Sequence, residues 1–149
     1  MIRKYQPTDC EDLLHVWARA SAVAHPFLSQ EFLEQERHNI PSVYLPNAET
    51  WVWDADGRVV GFLSLLGNEV GAVFVDPEFH RCGIGRALME RARDLRGELE
   101  VEVFEKNPLG RAFYAKLGFQ FLRRQIHDPT GFEVLRLKLA AEPPLKPTR

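Results

Sequence analysis

The chain reads as a mixed α/β protein, with about seven strands and about four helices in the order β-α-α-β-β-β-α-β-α-β-β. Three observations predict it. Leu99, Val101 and Val103 alternate with Glu98, Glu100 and Glu102, and the pattern turns to period two at Trp51–Val52–Trp53, with Val59–Leu66 as the returning strand of a hairpin. Between them, apolar positions recur at helical spacing, and both kinds of segment end at glycines and prolines. Residues 73–91 join the two patterns: an apolar run, Pro77, the glycines Gly83 and Gly85, then Ile84, Ala87, Leu88, Ala92 and Leu95 on one helical face.

Ile2–Tyr5 alternates weakly and predicts a first strand, ended by Pro7. Thr8 and Glu11 have the spacing of a capping box, opening a helix to about Ala24 with Cys10, Leu13, Leu14, Trp17, Ala18 and Ser21 on its apolar face. Pro26 stops it, and a second helix starts at Ser29 and ends before Pro41, leaving 41–50 as a loop. Asp54–Ala55–Asp56–Gly57 closes a hairpin, with Trp51 and Trp53 as its packing, and Gly67–Asn68 makes the next turn. Gly97 ends the helix that follows Gly83. Asn107 and Pro108 suit the N-cap and first position of a helix with Leu109, Ala112, Phe113 and Leu117 as its stripe and Gly118 after its end. Strands over Phe119–Ile126 and Phe132–Leu139 meet at Asp128–Pro129–Thr130–Gly131. Residues 1–140 are expected to form one domain and the proline-containing tail 141–149 to be disordered.

A strand that feeds a glycine turn and then a helix aims unpaired amides and the positive end of the helix dipole at one point, which suits a phosphate. Arg81 and Arg86 flank that turn. Leu88 stands where a dinucleotide fingerprint has its third glycine, and no Gly-Lys-Ser/Thr follows, so neither nucleotide motif is met. Cys82 lies inside the turn, where basic neighbours favour a reactive thiol but amides suffice for an anion. With Cys10 it makes no metal spacing, and no metal is expected.

A net charge of -2 gives no reason to expect nucleic acid or an anionic membrane as partner. No apolar run reaches the ~18 residues of a membrane span, and the N-terminus lacks a signal-peptide core, so a cytoplasmic protein is the expectation.

Val75–Asp76–Pro77, Gly83–Ile84–Gly85–Arg86–Ala87–Leu88, Asn107 and Phe113–Tyr114–Ala115–Lys116–Leu117–Gly118–Phe119 stand in an order that resembles the GNAT superfamily of N-acetyltransferases over nearly the whole chain. His25–Pro26–Phe27, Trp51–Val52–Trp53 and Gly61–Phe62 add a likeness to small bacterial members thought to acetylate protein lysines. The resemblance implies a central, mostly antiparallel mixed sheet and acetyl-CoA as donor. It places pyrophosphate on the amides of Arg81, Cys82, Gly83, Ile84, Gly85, Arg86 and Ala87, and the pantetheine arm along Phe74 and Val75 where the central strand splays from its neighbour. The family carries Gln or Arg at the position of His80; here the histidine is either a contributor to that site or a surface residue.

Acetyl transfer to an amine needs a base for the ammonium, donors for the thioester oxygen and a proton for the departing thiolate. By resemblance Tyr114 stands beside the sulfur as the proton donor. Asn107 reads both as a cap and as a polar contact to the donor. Glu69 is the candidate base, at the start of the central strand where burial would raise its pKa; Glu102 is an alternative facing the cleft, and a water chain is a third. His25 and Phe27 fall in the loop that borders the acceptor groove in the family, where His25 either meets the acceptor or packs. The implied reaction is direct attack by a primary amine in a ternary complex, the amine being a protein lysine or N-terminus. A small-molecule amine and a non-catalytic acyl-CoA-binding regulator are the rival readings, and monomer and homodimer both stay open.

Overall fold

The computed structural model describes residues 1–142; the expected tail, apart from its first residues, lies outside the described residues. One seven-stranded sheet has the order β1-β2-β3-β4-β5-β7-β6, formed by β1 (Ile2–Lys4), β2 (Glu49–Ala55), β3 (Arg58–Leu66), β4 (Glu69–Val75), β5 (Leu99–Phe104), β6 (Gln120–Ile126) and β7 (Glu133–Leu139). Among the described residues only β4 and β5 pair in parallel. Helices α1 (Cys10–Ala24) and α2 (Gln30–Asn39) pack with Val52, Val59 and Phe62 on one face; α4 (Ile84–Arg96) packs with Leu63, Leu65 and Val101 on the other. A single turn, α3 (Leu45–Asn47), leads into β2, and α5 (Pro108–Leu117) links β5 to β6.

The hairpin, the Gly67 turn and the strand–turn–helix unit form as expected, with Asp56 and Gly57 both in the left-handed region (φ 52° and 92°) that a two-residue hairpin turn needs. Ser29 caps α2 by accepting from the Phe32 amide, and Asn107 caps α5 by accepting from the Gly110 amide at 2.9 Å.

Four local expectations are corrected. Pro7–Asp9 forms a 3-10 turn, so Thr8 is not the cap of α1; the Asp9 carboxylate accepts instead from the Gln6 amide at 2.8 Å and from Arg3 at 2.9 Å. The buried stripe of α1 is turned toward Val16 and Ala20, and Ala18 is exposed. Pro41 does not end the helical path, which widens into a π turn over Ile40–Tyr44; the Ser42 hydroxyl donates to the His38 carbonyl at 2.7 Å, satisfying an acceptor near the proline's missing N–H. On α5, Leu109 and Ala112 face solvent while Tyr114 is the buried residue. The helix turns this way because Gly110 lets its first turn close on Asn107 and Val103; a Cβ there would lie 2.5 Å from the Asn107 amide nitrogen.

The sheet opens at its centre. Pairing of β4 with β5 stops after Glu69–Glu100 and Val70–Val101. On the other edge of β4, Leu65 pairs with Val70 and Ser64 with Ala72, so Gly71 is an extra residue in a bulge. A buried hydrogen bond of 2.7 Å between Thr50 and Ser64 braces β3 behind the bulge. The bend turns β4 away from β5, and a cleft results.

Candidate active site

The cleft is a cavity of about 1010 Å³ that runs along β4. Asp76 N donates to Val60 O, so the alternation of the antiparallel ladder points the N–H and C=O of Val73 and Val75 away from β3, toward the gap left by β5. Phe74, between them, turns its main chain to β3 and contributes its ring to the cavity wall. His80 is tied into this edge: its Nε2 lies 2.9 Å from Val75 O.

At the C-terminal end of β4 the successive amides of Arg81 to Arg86 have no protein acceptor among the described residues. Arg81 and Gly83 take left-handed backbone (φ 65° and 81°), which curls the chain so that these amides converge ahead of α4. Gly85 lies under Phe113, where a Cβ would stand 3.1 Å from the ring. The Ala87 amide is already used, donating to Gly83 O at 3.0 Å, and Ala87 and Cys82 are absent from the cavity wall that Arg81, Gly83, Ile84, Gly85 and Arg86 form. Cys82 is exposed. The segment entering the turn is anchored by Asp76, which is fully buried. Burial alone would raise its pKa, but the Glu78 amide at 3.0 Å and Arg19 at 3.1 Å hold it below the usual carboxylate value.

In the middle of the cleft α1, β4 and α5 meet. The Asn107 Nδ2 donates to His25 Nε2 at 3.3 Å, while Oδ1 is occupied by the Gly110 amide. This assigns the neutral His25 proton to Nδ1, and burial pushes the imidazole pKa down to about 4. Tyr114 is buried with its ring edge-on to Phe113 and Phe119; its hydroxyl has no hydrogen-bond partner among the described residues, and burial raises its pKa, keeping the proton on oxygen. Ser21, one turn before His25, also lines the cavity, and its Oγ is the one buried side-chain polar atom without a partner among the described residues.

Glu69 and Glu102 line the cavity near the opposite end of β4 and share the Arg136 guanidinium with Glu100. Gln125 donates to Glu102 at 3.1 Å. Phe27 does not reach the cavity: its ring packs behind the wall against His25, Phe104 and Phe132. The sequence reading missed Ser21, Arg136 and the aromatic residues Phe32, Phe104 and His127, all but Arg136 on the cavity wall. A motif spans none of them, because they come together from separate segments. Among the described residues no group of three or more His, Cys, Asp or Glu could hold a metal ion, and no helix is long and apolar enough to cross a membrane.

Residues 46–121, from the last residues before β2 through the cleft to the start of β6, match the model of the acetyltransferase (GNAT) domain. The chain belongs to the GNAT acetyltransferases. Within the family it is 34% identical over 131 residues to the peptidyl-lysine N-acetyltransferase YiaC of Escherichia coli K12, covering 87% of this chain and 90% of that protein. It is 35% identical over 140 residues to the peptidyl-lysine N-acetyltransferase YjaB of the same organism, covering 93% and 95%. The solution structure of apo YjaB from E. coli superposes with a TM-score of 0.83 at 33% identity, over 93% of this chain and 95% of that one. The PaiA N-acetyltransferase of Thermoplasma acidophilum, solved in complex with coenzyme A, has the same fold at a TM-score of 0.72 and 22% identity, covering 93% and 98%. As a GNAT member the protein is an acetyl-CoA-dependent acetyltransferase.

Proposed function

We propose that the protein transfers the acetyl group of acetyl-CoA to the side-chain amine of a protein lysine, by direct attack in a ternary complex. The observation that carries this is the polarity of the cleft. One end has the unpaired amides of Arg81 to Arg86 with two guanidinium groups, which suit pyrophosphate; the start of β4 has Glu69 and Glu102, which suit an ammonium. The seven residues of β4 separate these ends by roughly 20 Å at the usual rise of a strand. Between them lie the outward-facing N–H and C=O of Val73 and the N–H of Val75, which can pair with an extended amide-containing arm as a strand would.

In this reading Asn107 is a cap that fixes His25, and the outward amides of β4 polarise the thioester carbonyl. Glu69 takes the amine proton, directly or through water, Glu102 standing by the same guanidinium. The amine nitrogen bonds to the acyl carbon, the carbon–sulfur bond breaks, and the Tyr114 hydroxyl gives its proton to the leaving sulfur. The names of YiaC and YjaB, both peptidyl-lysine N-acetyltransferases, support the lysine acceptor.

The test presents three acceptors side by side with acetyl-CoA: an Nα-blocked lysine peptide, a lysine-free peptide with a free N-terminus, and a polyamine. Fastest CoA release with the blocked lysine peptide is expected. Preference for either other amine would move the assignment to that class.

A further inference from the structure

An aromatic wall runs through the cavity from its rim to β4. Phe32 of α2 meets His127 of the β6–β7 turn with ring centroids 6.0 Å apart; His127 meets Phe104 at 5.2 Å, Phe104 meets His25 at 5.3 Å, and His25 meets Phe74 at 6.2 Å. All five rings line the cavity and all are half-buried, so each keeps a surface that faces the open space. A second row holds them in place: Phe27 packs on His25 and Phe104, and Phe132 on Phe27. The wall therefore joins five separate segments and has an ordered backing.

We propose that this wall is the track along which the acceptor's alkyl chain lies, and that it favours an unbranched ω-ammonium carried on several methylenes, as in lysine, over shorter chains. The inference rests on the acetyltransferase reading above and adds what sets its acceptor preference. Ring faces favour both methylene groups and a cation, so an aminoalkyl chain gains along its whole length. A polypeptide main chain does not, since its N–H and C=O groups need partners when they leave water. The wall offers few: His25 Nε2 is held by Asn107, and His127 Nδ1 by the Thr130 hydroxyl at 2.8 Å. An α-amine, flanked by main chain, is therefore disfavoured, whereas a lysine side chain sets only methylenes and its ammonium against the rings and keeps its main chain off them.

Each methylene laid against the rings adds apolar contact, and homologous amines read it. Nα-acetyl-amides of lysine, ornithine and diaminobutyrate differ by one methylene each. With wild-type enzyme, kcat/KM is expected to fall about fourfold or more for each methylene removed. Phe104→Leu, and at the rim Phe32→Ala, should raise KM for the lysine compound and flatten the series while leaving acetyl-CoA affinity within about twofold. The same series is titrated calorimetrically in the presence of CoA, where no chemistry occurs. An affinity order lysine, ornithine, diaminobutyrate supports the track even if no acetyl group is transferred, an outcome that would defeat only the acetyltransferase reading. Equal affinity and rate across the series, or variants that lower all three amines in proportion, would overturn the track.

Discussion

Asn107 Nδ2 and His25 Nε2 stand 3.3 Å apart and join the start of α5 to the end of α1 across the cleft. Because Asn107 Oδ1 is fixed by the Gly110 amide, the amide has one orientation, and so has the imidazole. One side chain thus caps a helix and sets a tautomer. Replacing Asn107 by Ser keeps a good cap and removes the tie, whereas Ala removes both. Asn107→Ala should cost ~1 kcal/mol more than Asn107→Ser in urea unfolding, while both lower turnover to a similar degree. Full activity in Asn107→Ser would show that the tie to His25 has no part in catalysis.

His25 also makes stability depend on pH. The folded imidazole takes its proton only near pH 4, whereas an unfolded histidine does so near its ordinary value of 6.5. Between these values the unfolded chain binds more protons, so stability falls as pH drops from 6.5 to 4, by at most ~1.4 kcal/mol per pH unit. His25→Phe should remove this slope. An unchanged difference in urea midpoint between pH 7 and pH 5 would place the titration elsewhere.

Tyr114→Phe keeps the ring packed between Phe113 and Phe119 and deletes the hydroxyl. Turnover should fall about tenfold or more, with acetyl-CoA affinity nearly intact by calorimetry. Unchanged turnover would remove Tyr114 from the chemistry.

Ser21 carries a buried hydroxyl with no partner among the described residues. Ser21→Ala removes an unsatisfied group and adds helix propensity, so the free enzyme should become more stable by ~1 kcal/mol. A loss of stability would mean that the hydroxyl has a partner, such as an ordered water.

Asp76 fixes the approach to the phosphate turn. Asp76→Ala leaves Arg19 without its buried partner and frees the Glu78 amide, and should cost ~3 kcal/mol in urea unfolding and weaken acetyl-CoA binding. Weakened binding without destabilisation would mean that Asp76 acts on the ligand and not on the loop.

Much of this architecture is legible in the residues. Gly83 and Gly85, Asn107 with Pro108, and Asp56–Gly57 each announce a local geometry that depends on few neighbours, and each stands where its chemistry requires. Tyr114 was harder to place, because the stripe Leu109–Ala112–Phe113–Leu117 is apolar by composition; the helix is turned by the close contact of Gly110 with Asn107 and Val103, which is a tertiary fact. Pro41 misled for a similar reason, since the Ser42 hydroxyl makes the π turn tolerable. Phe32, Phe104 and His127 have no common pattern in the chain at all. They become a wall only when the β4–β5 splay and the α1–α2 loop bring their segments together.

The measurement that bears most directly on the account is an initial-rate matrix in which acetyl-CoA and an Nα-blocked lysine peptide are both varied, with the product mapped by fragmentation. Direct attack in a ternary complex predicts intersecting double-reciprocal lines and acetyl on the lysine Nε. Parallel lines would indicate an acetyl-enzyme, and binding of acetyl-CoA without any peptide-dependent release of CoA would contradict the catalytic assignment and leave a regulator that senses the acyl donor.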